Sequence, residues 1–229
     1  MKKTVTYFSK FEWTLLISSI VVIAISFAFA PEKSILSFIS SLIGVGALLF
    51  CAKGNPFGQI LMIVFCIMYG IISYQNMYYG EVMTYVFMTG PMAIYALISW
   101  LKNPYNGNRS EVKVNKITLK EMAIIFVLSL IVTAIFYFIL KAFDTANLFV
   151  STISITTSFL AVYLTARRSP YYALAYAAND IVLIILWAVA SIKDTSCLST
   201  LTCFAVFFAH DIYGFISWRR MEIRQQENI

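Results

Sequence analysis

The chain has 229 residues, a formal net charge of +6, and 12% charged against 60% hydrophobic residues. Soluble globular sequences carry about 25% charged residues, so this composition excludes an ordinary water-facing domain and points to lipid as the solvent. One histidine and four dispersed cysteines do not supply ligands at zinc-site spacing or a secreted disulfide framework. The basic excess has a topological origin and calls for no nucleic acid and no acidic partner.

A bilayer crossing takes about 20 largely apolar residues, and eight such runs follow one another: 13–29, 35–51, 57–74, 82–100, 120–140, 148–166, 171–190 and 198–218. The expected fold is therefore an all-α integral membrane protein with eight transmembrane helices. Turn chemistry marks the breaks at Pro31, Gly54-Asn55-Pro56, Gly80, Asn106-Gly107 and Arg168-Ser169-Pro170. Pro56 and Pro170 suit helix starts, and Thr118 with Glu121 forms the pattern of a capping box opening span 5. Met1-Lys2-Lys3 and Ala28-Phe29-Ala30 resemble a signal peptide, but Pro31 after the small residues and the long apolar run favour a retained span.

With the N-terminus placed in the cytoplasm, only Lys33, Lys141 and Lys193 of the 17 Lys and Arg residues fall outside. That bias predicts an even number of spans with both termini cytoplasmic.

Two segments nearly repeat. Ile94-Tyr95-Ala96-Leu97-Ile98-Ser99-Trp100 closes span 4 and Ile212-Tyr213-Gly214-Phe215-Ile216-Ser217-Trp218 closes span 8. The Lys53-Gly54-Asn55-Pro56-Phe57 turn has its counterpart in Arg167-Arg168-Ser169-Pro170-Tyr171. Spans 2–4 thus duplicate as spans 6–8 in parallel, with span 5 as the linker, which predicts a 3+1+3 layout like that of the SWEET sugar transporters. The units would be 1–34 (tail and extra helix), 35–101 (first repeat), 102–147 (loop and linker helix), 148–218 (second repeat) and 219–229 (tail). Taken alone, Trp100 and Trp218 are expected to be aromatic anchors at the lipid headgroups.

Ionisable residues within spans are costly and so point to function. Asp180, beside Asn179, shares a helix face with Trp187, and Asp211 shares one with Gly214, Phe215 and Trp218. Each face offers a carboxylate and an aromatic ring; structural pairing of Asp180 or Asp211 is the alternative. Gln59, Tyr69 and Tyr74 give the first half a polar, aromatic face of its own. The Ser and Thr residues between Ser151 and Ser158 suit helix packing. Pro91 predicts a kink, either a hinge or a static bend, His210 a satisfied interior residue, and Cys51, Cys66, Cys197 and Cys203 small apolar positions.

Asn179-Asp180 with Leu186-Trp187, the ending Asp211-Ile212-Tyr213-Gly214-Phe215-Ile216-Ser217-Trp218-Arg219-Arg220, and Gly54-Asn55-Pro56-Phe57-Gly58-Gln59 resemble the PnuC vitamin transporters. The resemblance implies a bacterial inner-membrane carrier moving nicotinamide riboside by facilitated diffusion, with cytoplasmic phosphorylation trapping the product, no cofactor, and possible homotrimers. Relatives carrying thiamine, riboflavin or deoxynucleosides are the alternatives within the family. It further implies that Trp187 stacks on the base while Asn55, Gln59, Asn179 and Asp211 hydrogen-bond the ribose or carboxamide; Asp180, Tyr213 and Tyr69 complete the candidate substrate site. The resemblance would put an Asn at position 211, and the Asp found there would fit a different substrate. A proton-coupled symporter using Asp180 or Asp211 and a membrane scaffold without transport are competing readings; an enzyme is disfavoured by the scarcity of catalytic groups.

Overall fold

A computed structural model describes residues 7–30, 33–145 and 147–227. Pro31 and Met1-Lys2-Lys3 lie outside the described residues. Among those described, eight helices are long and apolar enough to cross a membrane: α1 Lys10–Phe29, α2 Ile35–Ala52, α3 Phe57–Gln75, α4 Tyr79–Lys102, α5 Leu119–Ala142, α6 Leu148–Ala166, α7 Tyr172–Lys193 and α8 Leu198–Glu227. Together they form an all-α bundle of eight membrane-spanning helices. α1 and α5 leave large apolar side chains such as Ile17, Ile25, Phe126 and Phe138 exposed, as lipid contact requires.

The helix ends depart from the sequence expectation in three places. α8 continues nine residues past Trp218, so the basic segment read as a tail is helical to Glu227. α4 starts at Tyr79, and Gly80, read as a break, lies inside it. Between spans 4 and 5, β1 (Pro104–Tyr105) and β2 (Asn108–Val112) form an antiparallel hairpin. Its turn is Asn106-Gly107, both at positive φ (48° and 77°), the combination a tight two-residue turn demands.

Pro91 acts differently from a simple kink. It cannot donate a backbone hydrogen bond and crowds the carbonyl four residues back, and the stretch before it, Met83–Thr89, is π-helical. The Gly90 N–H reaches back five residues to Tyr85 O. That extra residue per turn rotates Thr84, Tyr85 and Thr89 into the interior, where all three are buried.

α1 docks through a polar ladder. Ser9 caps it, with Glu12 completing the capping box; the Thr118 cap of α5 is one-sided, because the Glu121 carboxylate goes to Arg167 instead. Glu12, Ser19 and Ser26, seven residues apart, meet Tyr213 (2.7 Å), His210 Nε2 (2.9 Å) and Thr202 (3.1 Å) along α8. Glu12 also takes an ion pair from Lys53 at 3.0 Å. Glu12→Ala strands the Tyr213 hydroxyl and Lys53, so a loss of about 1–2 kcal/mol is expected, measured as a lower melting temperature in detergent. An unchanged melting temperature would show that α1 docks by apolar contact alone.

At the end of the bundle carrying the basic clusters, hereafter the basic end, the two related turns have the same backbone. Gly54 N–H bonds Cys51 O and Asn55 N–H bonds Phe50 O; Arg168 N–H bonds Thr165 O and Ser169 N–H bonds Leu164 O. Gly54 and Arg168 both take positive φ (65° and 57°), as a left-handed helix C-cap requires. The hairpin segment ties both turns together, with Val112 N–H on Gly54 O and Asn115 N–H on Arg168 O.

Trp100 and Trp218 are not headgroup anchors. Both are fully buried. Trp100 donates its indole N–H to Thr165 O (2.9 Å) at the end of α6, and Trp218 donates to Cys51 O (2.8 Å) at the end of α2. Their rings pack 5.3 Å apart with Tyr172 against them, closing the basic end with an aromatic plug. The reason lies in α8 and the hairpin, which continue the structure past these residues at this end of the bundle.

Candidate functional site

One face of α7 carries Tyr172, Tyr176, Asp180 and Trp187 in rising order from the plug. Trp187 is fully buried and donates its indole N–H to the Tyr69 hydroxyl at 2.8 Å. The Tyr78 ring lies 5.1 Å from the indole, and Tyr69 packs against Tyr85 at 4.4 Å and Phe204 at 5.2 Å. A polar cleft of about 330 Å³ runs from the end carrying Lys33 and Asp194 down to Trp187, past Asn76, Ser37 and Thr200. That volume is within the range of small-ligand sites.

Asn179 is held from one side. Its carbonyl oxygen accepts hydrogen bonds from Thr157 (2.8 Å) and Ser158 (3.0 Å), with Ser154 at 3.5 Å. The amide Nδ2 is buried without a partner, so the three hydroxyls aim a donor away from α6. The Ser and Thr residues of α6 thus do more than pack helices. Thr89 Oγ1 and Asp180 Oδ2, also interior, lack partners too. Buried polar groups are almost always paired, so their concentration here marks an interior built for a polar guest.

Asp180 and Asp211 face each other within hydrogen-bonding reach. They lie seven residues from Trp187 on α7 and from Phe204 on α8 respectively, about 10 Å nearer the basic end. Tyr172, Tyr176 and Cys51 surround Asp211.

Of the named candidates, Trp187 and Tyr69 meet directly, Asn179 and Asp180 share their helix, and Asp211 joins Asp180. Gln59 is buried and donates to Cys51 Sγ at 3.3 Å, one neighbour away from Asp211. Asn55 and Tyr213 are elsewhere. Asn55 caps α3 through Phe57 N–H (2.9 Å) and donates to the Tyr7 hydroxyl, while Tyr213 serves the Glu12 ladder. Both sit at the basic end, Asn55 about 20 Å along the chain axis of α3 from Tyr69. Gly214 lets helices meet: an added Cβ there would lie 3.4 Å from Ala173 Cβ on α7. All four cysteines are buried free thiols.

Sequence inspection missed Glu81, Tyr78 and Tyr85. Glu81 reads as a loop charge when Gly80 is taken as a break; the signal was the apolar run continuing on both sides of Tyr78-Tyr79-Gly80-Glu81.

An eight-helix membrane bundle with unpartnered polar groups and aromatic rings at its centre, reached by a cleft from one end, defines a multi-pass membrane transporter. Residues 34–220 match the nicotinamide mononucleotide transporter family, and the chain belongs to that family, whose members are transporters and not enzymes. The nicotinamide riboside transporter PnuC of Neisseria mucosa is 24% identical over 216 residues, covering 92% of this chain and 81% of that protein. The crystal structure of the vitamin B3 transporter PnuC shares the fold with a TM-score of 0.84 at 23% identity, over 95% of this chain and 94% of the other.

Proposed function

We propose that this protein carries nicotinamide riboside across a bacterial cytoplasmic membrane by facilitated diffusion, with phosphorylation on the cytoplasmic side retaining the product. The observation that carries this reading is the Trp187 indole, framed by Tyr69 and Tyr78 at the foot of the cleft, with the free amide of Asn179 on the same helix. A planar base stacks on the indole, and Asn179 donates to the carboxamide or ribose. The Neisseria relative is named for the same substrate. The interior favours a riboside over the phosphorylated nucleotide: Glu81, Asp180 and Asp211 are buried there, and none of the ion pairs among the described residues supplies them with a Lys or Arg.

The architecture we infer is a 3+1+3 arrangement of SWEET type, with α2–α4 and α6–α8 as parallel repeats and α5 as linker. Reciprocal bonding supports it. Pro56 and Pro170 stand 114 positions apart, as do Cys51 and Thr165, and each repeat's closing Trp bonds the equivalent carbonyl of the other. The basic end then faces the cytoplasm with both termini, and the homotrimer expected from the family would be built on lipid-facing helices. Because the native thiols are buried, single cysteines report topology cleanly: one near Lys141 should label from outside sealed cells and one near Arg109 should not. Labelling near Arg109 would reverse the orientation.

A thermal-shift screen tests the substrate. A ligand at 100 times its dissociation constant stabilises by about 2.7 kcal/mol, so nicotinamide riboside is expected to raise the melting temperature, with riboflavin and deoxynucleosides inert. A shift with thiamine or a deoxynucleoside alone would reassign the substrate. The contact between Asp180 and Asp211 favours one second reading, proton-coupled symport, because two carboxyls in contact are suited to sharing a proton.

A further inference from the structure

We propose that Glu81 is the counter-charge of the substrate site and makes it select a cationic heterocycle over a neutral one of the same shape. The proposal rests on the substrate reading above and assigns its charge recognition to a residue of α4.

Glu81 is completely buried, and none of the ion pairs among the described residues gives its carboxylate a Lys or Arg. It is fixed rather than mobile. Its N–H bonds Tyr78 O at 3.0 Å, Thr84 Oγ1 bonds Gly80 O at 2.8 Å, and the π-helical turn of α4 begins two residues later. Gly80 beside it packs so tightly on Leu140 and Ser151 that an added Cβ would meet both at 3.2 Å. The Ser154 hydroxyl, from the group that clasps Asn179, lies next to the carboxylate. Tyr69, Tyr78 and Tyr85 lie within its electrostatic range, and the first two are the residues that frame Trp187.

A buried carboxylate without a cation is expensive, and proteins pair such groups. Asp180 and Asp211 have each other. Glu81 has no such neighbour, and the π faces around it also attract positive charge. A ring carrying a fixed positive charge, such as a pyridinium or thiazolium, completes this environment; a neutral flavin or nucleobase does not. Asp180, the carboxylate on the same helix as Trp187, is the less suitable group because it lies two turns from the indole and already faces Asp211.

The test compares nicotinamide riboside with its neutral 1,4-dihydro form, which has the same ribose and carboxamide and differs by one hydride. Calorimetry on the purified full chain should show the wild type preferring the cation by about tenfold or more. Glu81→Gln, which keeps size and polarity, should lose about ten- to a hundred-fold for the cation and change little for the neutral ligand, erasing the preference. Glu81→Asp should keep the preference at reduced affinity. Equal wild-type affinity for the two ribosides would overturn the proposal without any variant, as would a Glu81→Gln protein that retains the preference or loses both ligands equally. A wild type that ignores both ribosides but binds thiamine, with Glu81→Gln abolishing that binding, would keep the role of Glu81 and overturn the substrate reading. A wild type binding only a neutral vitamin would overturn both.

Discussion

Replacing Trp187 by alanine is expected to weaken substrate binding by about ten- to a hundred-fold, since base stacking on an aromatic side chain contributes about 1–3 kcal/mol and 1.4 kcal/mol is one decade. The same change costs stability. Trp187 is fully buried and bonded to Tyr69, and removing a buried Trp side chain costs about 3–5 kcal/mol. The burial therefore predicts a lower melting temperature as well. Trp187→Phe helps to separate the two effects, because it keeps a stacking face while losing the bond to Tyr69 and part of the buried ring. Calorimetry should therefore find most of the affinity in Trp187→Phe and little in Trp187→Ala. Undiminished binding in Trp187→Ala would remove α7 from the site.

An equally large structural effect belongs to Trp100. As a headgroup anchor it would be replaceable, but its ring is buried against Trp218 and Tyr172 and its N–H bonds Thr165 O. Trp100→Ala is expected to cost about 3–5 kcal/mol. Trp100→Phe, which leaves Thr165 O without that donor, should cost about 1–2 kcal/mol. Trp218→Phe should cost a similar amount, since it removes the indole donor from the equivalent carbonyl of Cys51, which keeps the Gly54 N–H. Thermal unfolding of the single variants and the pair reads this directly. Because the rings touch, the pair should depart from additivity. Alanine at Trp100 with an unchanged melting temperature would restore the anchor reading.

Spans and helix count were legible because each rests on a local signal: apolar run length and turn residues. The pairing of Asp180 with Asp211 was not, since helical periodicity assigns a face to each helix but does not say which faces meet. Asn55 and Tyr213 illustrate the same gap. Their polar groups resemble ligand contacts in sequence, yet they serve a helix cap and the α1 ladder, and the partner of Tyr213, Glu12, is 201 residues away. Glu81 escaped for a different reason. A glycine beside a charge reads as a loop end, whereas tight packing on Leu140 and Ser151 is what Gly80 provides. The π-helical stretch follows from Pro91, whose presence predicted an irregularity without its form.

Uptake of labelled nicotinamide riboside into proteoliposomes tests the central claim most directly. Facilitated diffusion predicts that the internal concentration rises to the external value and stops there, at the same level with or without an imposed pH gradient. Accumulation above the external concentration driven by inward protons, which would make Asp180 and Asp211 proton carriers, or no uptake beyond empty liposomes, would contradict it.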